Sequence, residues 1–200
     1  VAATRAASEE ELAESALPYL SEMLSMGVTT CEVKSGYGLD TQTELKQLRA
    51  VARLNRMQPI ELIPTFLGAH AVPAGEDADR YIDDCIAESG LAAFADIFCE
   101  KGVFSIEQSE RYLRRAADLG FRLKVHADEM YPLGGAGLAV HAGAVSADHL
   151  LRVREEDIAA LAASETVATV LPLTAFCLAE PYAPARRLID GGAALAVGSD

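Results

Sequence analysis

Residues 121–129 read FRLKVHADE, an apolar run of strand length that ends in His126 and is followed closely by two carboxylates. Six further runs of this kind occur along the chain, and several of them are apolar nearly throughout. Uninterrupted apolar strands are typical of a parallel sheet that is covered on both faces. The predicted strands cover residues 28–34, 60–67, 95–100, 121–126, 144–149, 166–173 and 193–200.

Amphipathic stretches of helical period separate the predicted strands. Ser8 precedes the first of them and Glu11 follows three residues later, which is the pattern of a capping box at a helix start. The predicted helices cover residues 8–26, 41–57, 77–89, 106–119, 155–163 and 184–190. Strand and helix therefore alternate along the whole chain, which predicts a single α/β domain over residues 1–200.

Two architectures fit this alternation, a doubly wound sheet and a (β/α)8 TIM-type barrel. Nearly every predicted strand ends in a reactive side chain, and all strands of a barrel point their carboxyl ends at one catalytic mouth. A doubly wound sheet more often has a glycine-rich phosphate turn, and no G-x-G-x-x-G or Walker sequence occurs here. We therefore favour the barrel. Seven strands are predicted, whereas a closed barrel needs eight, so we expect an incomplete barrel.

The composition excludes two classes of partner. Lys and Arg number 17 against 30 Asp and Glu, which gives a net charge of −13. A chain this acidic is unsuited to nucleic acid, whose phosphates are bound by Lys and Arg, and equally to a membrane surface of anionic lipid. No apolar run approaches the ~20 residues of a membrane helix. The four scattered cysteines form no C-x-x-C pair, so we expect a soluble cytoplasmic protein with reduced thiols.

Three of the four histidines lie at predicted strand ends: His70, His126 and His149. A single strand histidine is usually a core residue with a satisfied hydrogen bond. Three of them converging on one mouth, joined by Asp200, favour a metal site instead, because neutral imidazole and carboxylate are ligands that zinc and iron prefer. The fourth, His141, falls in a predicted loop of small residues, where we expect solvent or backbone contacts.

Each of the candidate site residues Glu129, His149 and Asp200 has both a functional and a structural interpretation. Glu129 could protonate a leaving nitrogen or hold a substrate N–H, but either Asp128 or Glu129 could instead cap the next helix. His149 could polarise a carbonyl or orient water, or it could make a structural hydrogen bond. Asp200 is suited to act as base for a metal-bound water, whose pKa falls towards 7, but an aspartate at a strand end is otherwise a turn residue.

Covalent catalysis has less support in the sequence than metal-assisted hydrolysis. No G-x-S-x-G nucleophile motif occurs, and Cys99 has no adjacent histidine. Tyr37 lies between two glycines and could present its hydroxyl to a ligand, although a packed tyrosine in a tight turn is the commoner outcome.

Five stretches of this sequence resemble the imidazolonepropionase family of the amidohydrolase superfamily. They are TTCEVKSGYGLD at 29–40, TFLGAHAVP at 65–73, IFCE at 97–100, KVHADE at 124–129 and SADHL at 146–150. The resemblance implies a (β/α)8 barrel with one zinc or iron ion. The reaction it implies is hydrolysis of the cyclic amide of 4-imidazolone-5-propanoate to N-formimino-L-glutamate, a step of histidine degradation.

The resemblance also implies roles for individual residues. His126 and Asp200 match metal ligands, and Tyr37, His70 and Glu129 match substrate-binding positions. Glu129, His149 and Asp200 match the residues of the chemistry, in which Asp200 moves a proton towards the leaving nitrogen while a metal-activated water attacks the ring carbonyl. We also expect a homodimer and a small-molecule substrate.

Several family features are absent from these 200 residues. No His-x-His pair, which supplies two further metal ligands in the family, occurs here, nor does the arginine that follows it. The Asn-Pro-Gly-Ser type segment after the last aspartate is missing too. The resemblance therefore implies that the first strand of the barrel is missing and that the domain is truncated at both ends. We therefore expect the parent enzyme to be active and this chain alone to be poorly active. Two alternatives remain: a non-catalytic barrel fragment, and an amidohydrolase acting on a related cyclic amide or amidine.

Overall fold

The computed structural model describes residues 1–86 and 90–200, and they fall into two compact units, 1–95 and 96–200. The strands follow one another in the sheet in chain order. They are β1 (Thr30–Lys34), β2 (Glu61–Ala69), β3 (Phe94–Cys99), β4 (Arg122–Ala127), β5 (Ser146–His149), β6 (Val167–Val170) and β7 (Leu195–Val197). The prediction of one domain over residues 1–200 stays a prediction.

The helices of the described residues are α1 (Ala2–Ala6), α2 (Glu9–Ser25), α3 (Thr41–Leu54), α4 (Ala78–Asp84), α5 (Ile106–Asp118), α6 (Gly135–His141), α7 (Glu155–Ala162), α8 (Pro172–Cys177) and α9 (Ala185–Gly191). Helices α1 and α2 precede β1, and the other helices lie between the strands. None of them is long and apolar enough to cross a membrane.

The first unit is built on the parallel pair β1 and β2, in which Thr30 lies opposite Glu61 and Lys34 opposite Thr65. Helices α2 and α3 cover this pair with a shared apolar core. Among its buried members are Ala13, Leu20, Val51, Leu54 and Leu62. The core fixes α3 against β2, so the loop that joins β1 to α3 has little freedom at either end.

The second unit contains the parallel strands β4, β5, β6 and β7. Val125, Ala147 and Ala168 in the middle of three of these strands are completely buried. The register places His126 opposite Asp148 and Ala127 opposite His149. Two histidines of the predicted site therefore lie at the carboxyl ends of neighbouring strands, as expected.

All seven predicted strands are confirmed, although their ends shift by a few residues. The prediction for 166–173 is wrong at its end, because β6 stops at Val170 and α8 begins at Pro172. Proline suits a first helical turn, where its missing N–H is not needed. The predicted helix over 77–89 is observed as α4 (Ala78–Asp84), and residues 87–89 lie outside the described residues.

Three short helices, α1, α6 and α8, were not predicted. The sequence of α6, GAGLAVH, holds two glycines and reads as a loop, but its first N–H groups are bonded by the buried carboxylate of Asp128. The predicted loop around His141 is therefore wrong. His141 is the last residue of α6, and its side chain is exposed.

The predicted capping box at the start of α2 is present. Ser8 Oγ accepts the Glu11 N–H at 3.1 Å, and the Glu11 carboxylate accepts the Ser8 N–H at 2.7 Å. We expect Ser8→Ala to lower the free energy of unfolding by about 1 kcal/mol. Ser15→Ala, which alters an exposed hydroxyl in the middle of the same helix, should change it by less than about 0.5 kcal/mol. Urea denaturation of both variants measures the difference.

The contribution of the capping box should also depend on pH. Hydrogen bonds from the Ser8 backbone and side chain hold the pKa of Glu11 below its usual range. A carboxylate whose folded pKa is lowered stabilises the protein at neutral pH and loses this effect as the pH falls through that pKa. The difference between wild type and Ser8→Ala should therefore shrink on acidification, and a gap that widens would contradict the assignment.

Candidate active site

The loop that follows β1 is held by one buried carboxylate. Glu44 lies in the first turn of α3 and is completely buried. Its Oε2 accepts the Gly36 N–H at 2.5 Å, and its Oε1 accepts the N–H groups of Gly38 and Leu39 at 2.7 and 2.8 Å. Three donors around one carboxylate satisfy its charge and fix the loop backbone on both sides of Tyr37.

Tyr37 and His70, both predicted to bind substrate, lie together in the first unit. Their rings meet edge to face with centroids 5.2 Å apart, and Tyr37 is 59% exposed. His70 follows β2, and its Nδ1 lies 3.0 Å from the Gly36 carbonyl oxygen. A carbonyl only accepts, so Nδ1 is the donor in this hydrogen bond. The pair thus offers a hydroxyl and an imidazole nitrogen to a polar ligand.

His126 and His149 form the centre of a buried cluster in the second unit. Their ring centroids are 5.0 Å apart, and less than a tenth of either residue is exposed. His126 Nδ1 lies 3.0 Å from a carboxylate oxygen of Asp96, which is completely buried on β3. Glu129 Oε1 lies 3.6 Å from His149 Nδ1. The structure therefore brings three of the predicted site residues together, with Asp96 as an added member.

Burial controls the protonation of this cluster. It lowers the pKa of His149 below its usual range, and the neighbouring His126 lowers it further, against the opposing charges of Asp200, Asp148 and Asp96. The His149 ring is therefore neutral at pH 7. Burial likewise raises the pKa of Glu129, and although His126 opposes the shift, the negative charge of Asp200 adds to it. Both side chains favour the uncharged state more than they would in water.

One aspartate and one glutamate near the cluster accept hydrogen bonds from backbone N–H groups. Asp128 accepts the N–H groups of Gly134, Gly135 and Ala136, so the helix-capping alternative describes its structure. Burial raises the pKa of Asp128 despite these three bonds. Glu100, after β3, accepts the N–H groups of Lys101 at 2.7 Å and Met130 at 2.8 Å. Glu100 thereby holds the segment next to Glu129.

Asp200 lies beyond β7 and is exposed. Its Oδ2 accepts the Thr174 hydroxyl at 2.8 Å, and its backbone has φ +81°. This hydrogen bond links the residue to α8, the helix after β6. The predicted strand over 193–200 places Asp200 in the sheet, whereas the observed strand ends three residues earlier.

The residues of the second unit fit one side of a metal site. Histidines that bind a metal commonly place their other ring nitrogen on a carboxylate, and the 3.0 Å contact between Asp96 and His126 Nδ1 has this form. Nε2 of His126 is then the nitrogen that can face an ion. Within residues 1–86 and 90–200, however, no three His, Cys, Asp or Glu side chains are arranged to hold an ion. Catalytic zinc sites usually have three protein ligands.

The sequence does not predict the contacts of Glu44 with the loop after β1 or of Asp96 with His126. It places Glu100 only at the end of a predicted strand. The sequence does contain a signal that Asp96 has a functional contact, because it is a charged residue inside the apolar run 95–100. Glu44 had none, since a glutamate in the first turn of an amphipathic helix is ordinarily exposed and favourable there. Its burial follows from the fold of the loop that packs over it.

Curated relatives match the chain along its whole length. An imidazolonepropionase of Clostridium tetani is 51% identical over 100% of this chain and 50% of its own length. One of Parabacteroides distasonis is 53% identical over 99% of this chain and 50% of its own length. The chain therefore spans about half the length of the curated relatives it matches. No protein-family model matches it.

Solved structures share the fold at low sequence identity. They include a 5-methylcytosine deaminase of Klebsiella pneumoniae, with a TM-score of 0.74 and 16% identity over 98% of this chain and 54% of that one. An adenine deaminase of Arthrobacter aurescens has a TM-score of 0.73 and 21% identity over 96% and 63%. A zinc-bound adenosine deaminase of Xanthomonas campestris has a TM-score of 0.67 and 16% identity over 98% and 47%. These likenesses confirm the predicted fold, an incomplete (β/α)8 barrel.

Burial distinguishes two of the cysteines, and thiol labelling tests this difference. Cys99 is completely buried, and burial raises its pKa to about 11, whereas Cys177 at the end of α8 is exposed. Because the thiolate is the reactive form, we expect iodoacetamide at pH 8 to label Cys177 in the native protein and Cys99 only after unfolding. Peptide mass spectrometry identifies the labelled site. Rapid native labelling of Cys99 would contradict the structure.

Proposed function

We propose that this chain, homologous over its whole length to the imidazolonepropionase family, forms part of a hydrolase that opens the ring of 4-imidazolone-5-propanoate. The observation that carries the proposal is the buried cluster of His126, His149 and Glu129, which contains three of the four residues that the resemblance assigns to metal binding and chemistry. The identity of about 50% with curated imidazolonepropionases supports this choice of substrate.

Two residues of this chain are proposed to hold the metal ion. His126 would bind it through Nε2, since its Nδ1 lies against Asp96, and Asp200 would bind it through its carboxylate. The zinc in the Xanthomonas campestris adenosine deaminase of the same fold supports zinc as one candidate, beside iron. When bound, such an ion polarises a carbonyl and lowers the pKa of a coordinated water towards 7.

The remaining residues are proposed to bind the ring and move protons. Neutral His149 can donate a hydrogen bond to the ring carbonyl oxygen as negative charge develops there. Water adds to the carbonyl carbon, Asp200 takes its proton, and the proton passes to the ring nitrogen as the C–N bond breaks. Glu129, whose pKa is raised by burial, holds the ring, and Tyr37 and His70 contribute substrate contacts.

This chain is proposed to need further residues of the parent protein for activity. It spans about half of its relatives' length, and its described residues assemble no group of three metal-binding side chains. Two ligands hold a metal weakly where catalytic sites usually use three. The alternative of a non-catalytic fragment therefore applies to the isolated chain and not to the full-length protein.

Metal content and turnover of the full-length protein test these assignments. We expect roughly one zinc or iron per protomer and hydrolysis of 4-imidazolone-5-propanoate. His126→Ala and Asp200→Ala should each lose most of the metal and activity, because each removes a ligand. His141→Ala is the matched control, since this exposed histidine ends α6 and should retain both.

Elemental analysis and an assay of imidazolone loss give the two readouts. Full metal content in His126→Ala would remove this residue from the ligand set. Tight stoichiometric metal and turnover by the isolated 200-residue chain would instead contradict the need for further residues. Turnover of a different cyclic amide or amidine, with imidazolone propanoate ignored, would favour the alternative substrate class.

A further inference from the structure

The loop that presents Tyr37 packs directly on the start of α3. Gly36 has φ +119°, a conformation that side chains disfavour, and a Cβ there would lie 3.1 Å from His70 Nδ1. A Cβ on Gly38 would lie 2.7 Å from the Thr43 Cβ. Both glycines are therefore needed for close backbone approach. The position of Tyr37 depends on how tightly this backbone is held.

Glu44 binds the loop backbone from its buried side. All three of its hydrogen bonds go to the loop, at Gly36, Gly38 and Leu39, and none goes to the start of its own helix. That start is already capped by Asp40, whose carboxylate accepts the Thr43 N–H at 2.8 Å. Helix capping therefore does not explain the buried charge of Glu44.

Arg5 binds the same loop from its solvent-exposed side. Its guanidinium donates to the carbonyl oxygens of Gly38 at 2.8 Å and Leu39 at 3.1 Å, and it lies 3.0 Å from the Asp40 carboxylate. The loop N–H groups thus point to a buried anion and its carbonyl groups to a cation. Because Arg5 is largely exposed, the buried carboxylate dominates this arrangement.

The same loop also fixes His70. The Gly36 carbonyl accepts from His70 Nδ1 at 3.0 Å, while the Gly36 N–H is bonded to Glu44. The two peptide groups that flank Gly36 therefore connect the Glu44 carboxylate to the His70 imidazole. Displacing that glycine would move the imidazole and the neighbouring Tyr37 ring together, since the two rings are in contact.

We infer that Glu44 is a positioning residue for substrate binding, because it holds the backbone that sets both Tyr37 and His70. It touches neither substrate nor metal in this assignment, and it acts only through the loop. The inference rests on the proposed function for its substrate, but the loop geometry stands on this chain's own contacts. A group that positions ground-state binding residues affects KM and leaves kcat nearly unchanged.

The test compares Glu44→Gln with Leu54→Ala in the full-length protein. Glutamine keeps the shape of the side chain but turns an NH2 group towards N–H donors. Leu54 lies in the same helix within the apolar core, away from the loop, so its truncation controls for general destabilisation. We expect Glu44→Gln to raise KM for 4-imidazolone-5-propanoate about tenfold, because it leaves a buried loop N–H without an acceptor. The value of kcat should stay within about twofold of wild type. Leu54→Ala should keep the wild-type KM.

Hydrogen exchange of peptides covering residues 35–40 gives a readout that needs no activity. We expect these amides to exchange at least about tenfold faster in Glu44→Gln but not in Leu54→Ala, because glutamine keeps only one of the two acceptor oxygens that hold the loop. Unchanged exchange in Glu44→Gln would overturn the inference, and so would faster exchange with an unchanged KM or an equal KM rise in both variants. If the wild-type full-length protein does not hydrolyse the substrate, the proposed function fails, and the exchange comparison alone decides whether Glu44 holds the loop.

Discussion

Buried carboxylates that accept backbone N–H groups fix the loops after the strands of this protein. Glu44 does so after β1, Glu100 after β3 and Asp128 after β4. Peptide N–H groups beyond a strand end have no partner in the neighbouring strand, and leaving such a group buried and unpaired is costly. A carboxylate offers about four acceptor sites, so one side chain can satisfy a whole turn of backbone. The positions of Tyr37 and Glu129 depend on these loops.

The charges inside the second unit follow from burial more than from pairing. Burial is the largest influence on the pKa of Asp128, Glu129 and His149, and in each case it favours the neutral form. Neutral imidazole is the form that can act as a metal ligand or as a balanced hydrogen-bond donor and acceptor. The apolar packing that excludes water from the strands therefore also keeps the His149 ring neutral.

The sequence predicts the strands well because each is a short apolar run with a polar residue at its end. His126 and His149 could be placed next to each other on this ground alone, since parallel strands meet at one edge. The carboxylates that shape the loops could not be predicted, because their burial depends on how the chain folds back over them. Glu44 and the exposed glutamates of other first helical turns look alike in sequence. Helix α6 was missed for the same reason, since Asp128 caps it from outside the helix.

The loops and the proposed metal site differ in how far along the chain their contacts reach. Glu44 bonds residues five to eight positions away, and Asp128 bonds residues six to eight positions away. His126 and Asp200, by contrast, come from the opposite ends of a long stretch of sheet. Local contacts have a small loop-closure cost and form without distant partners. The loops that are proposed to bind substrate can therefore take their shape within this chain, whereas the described residues bring no three metal-binding side chains together for the proposed metal site.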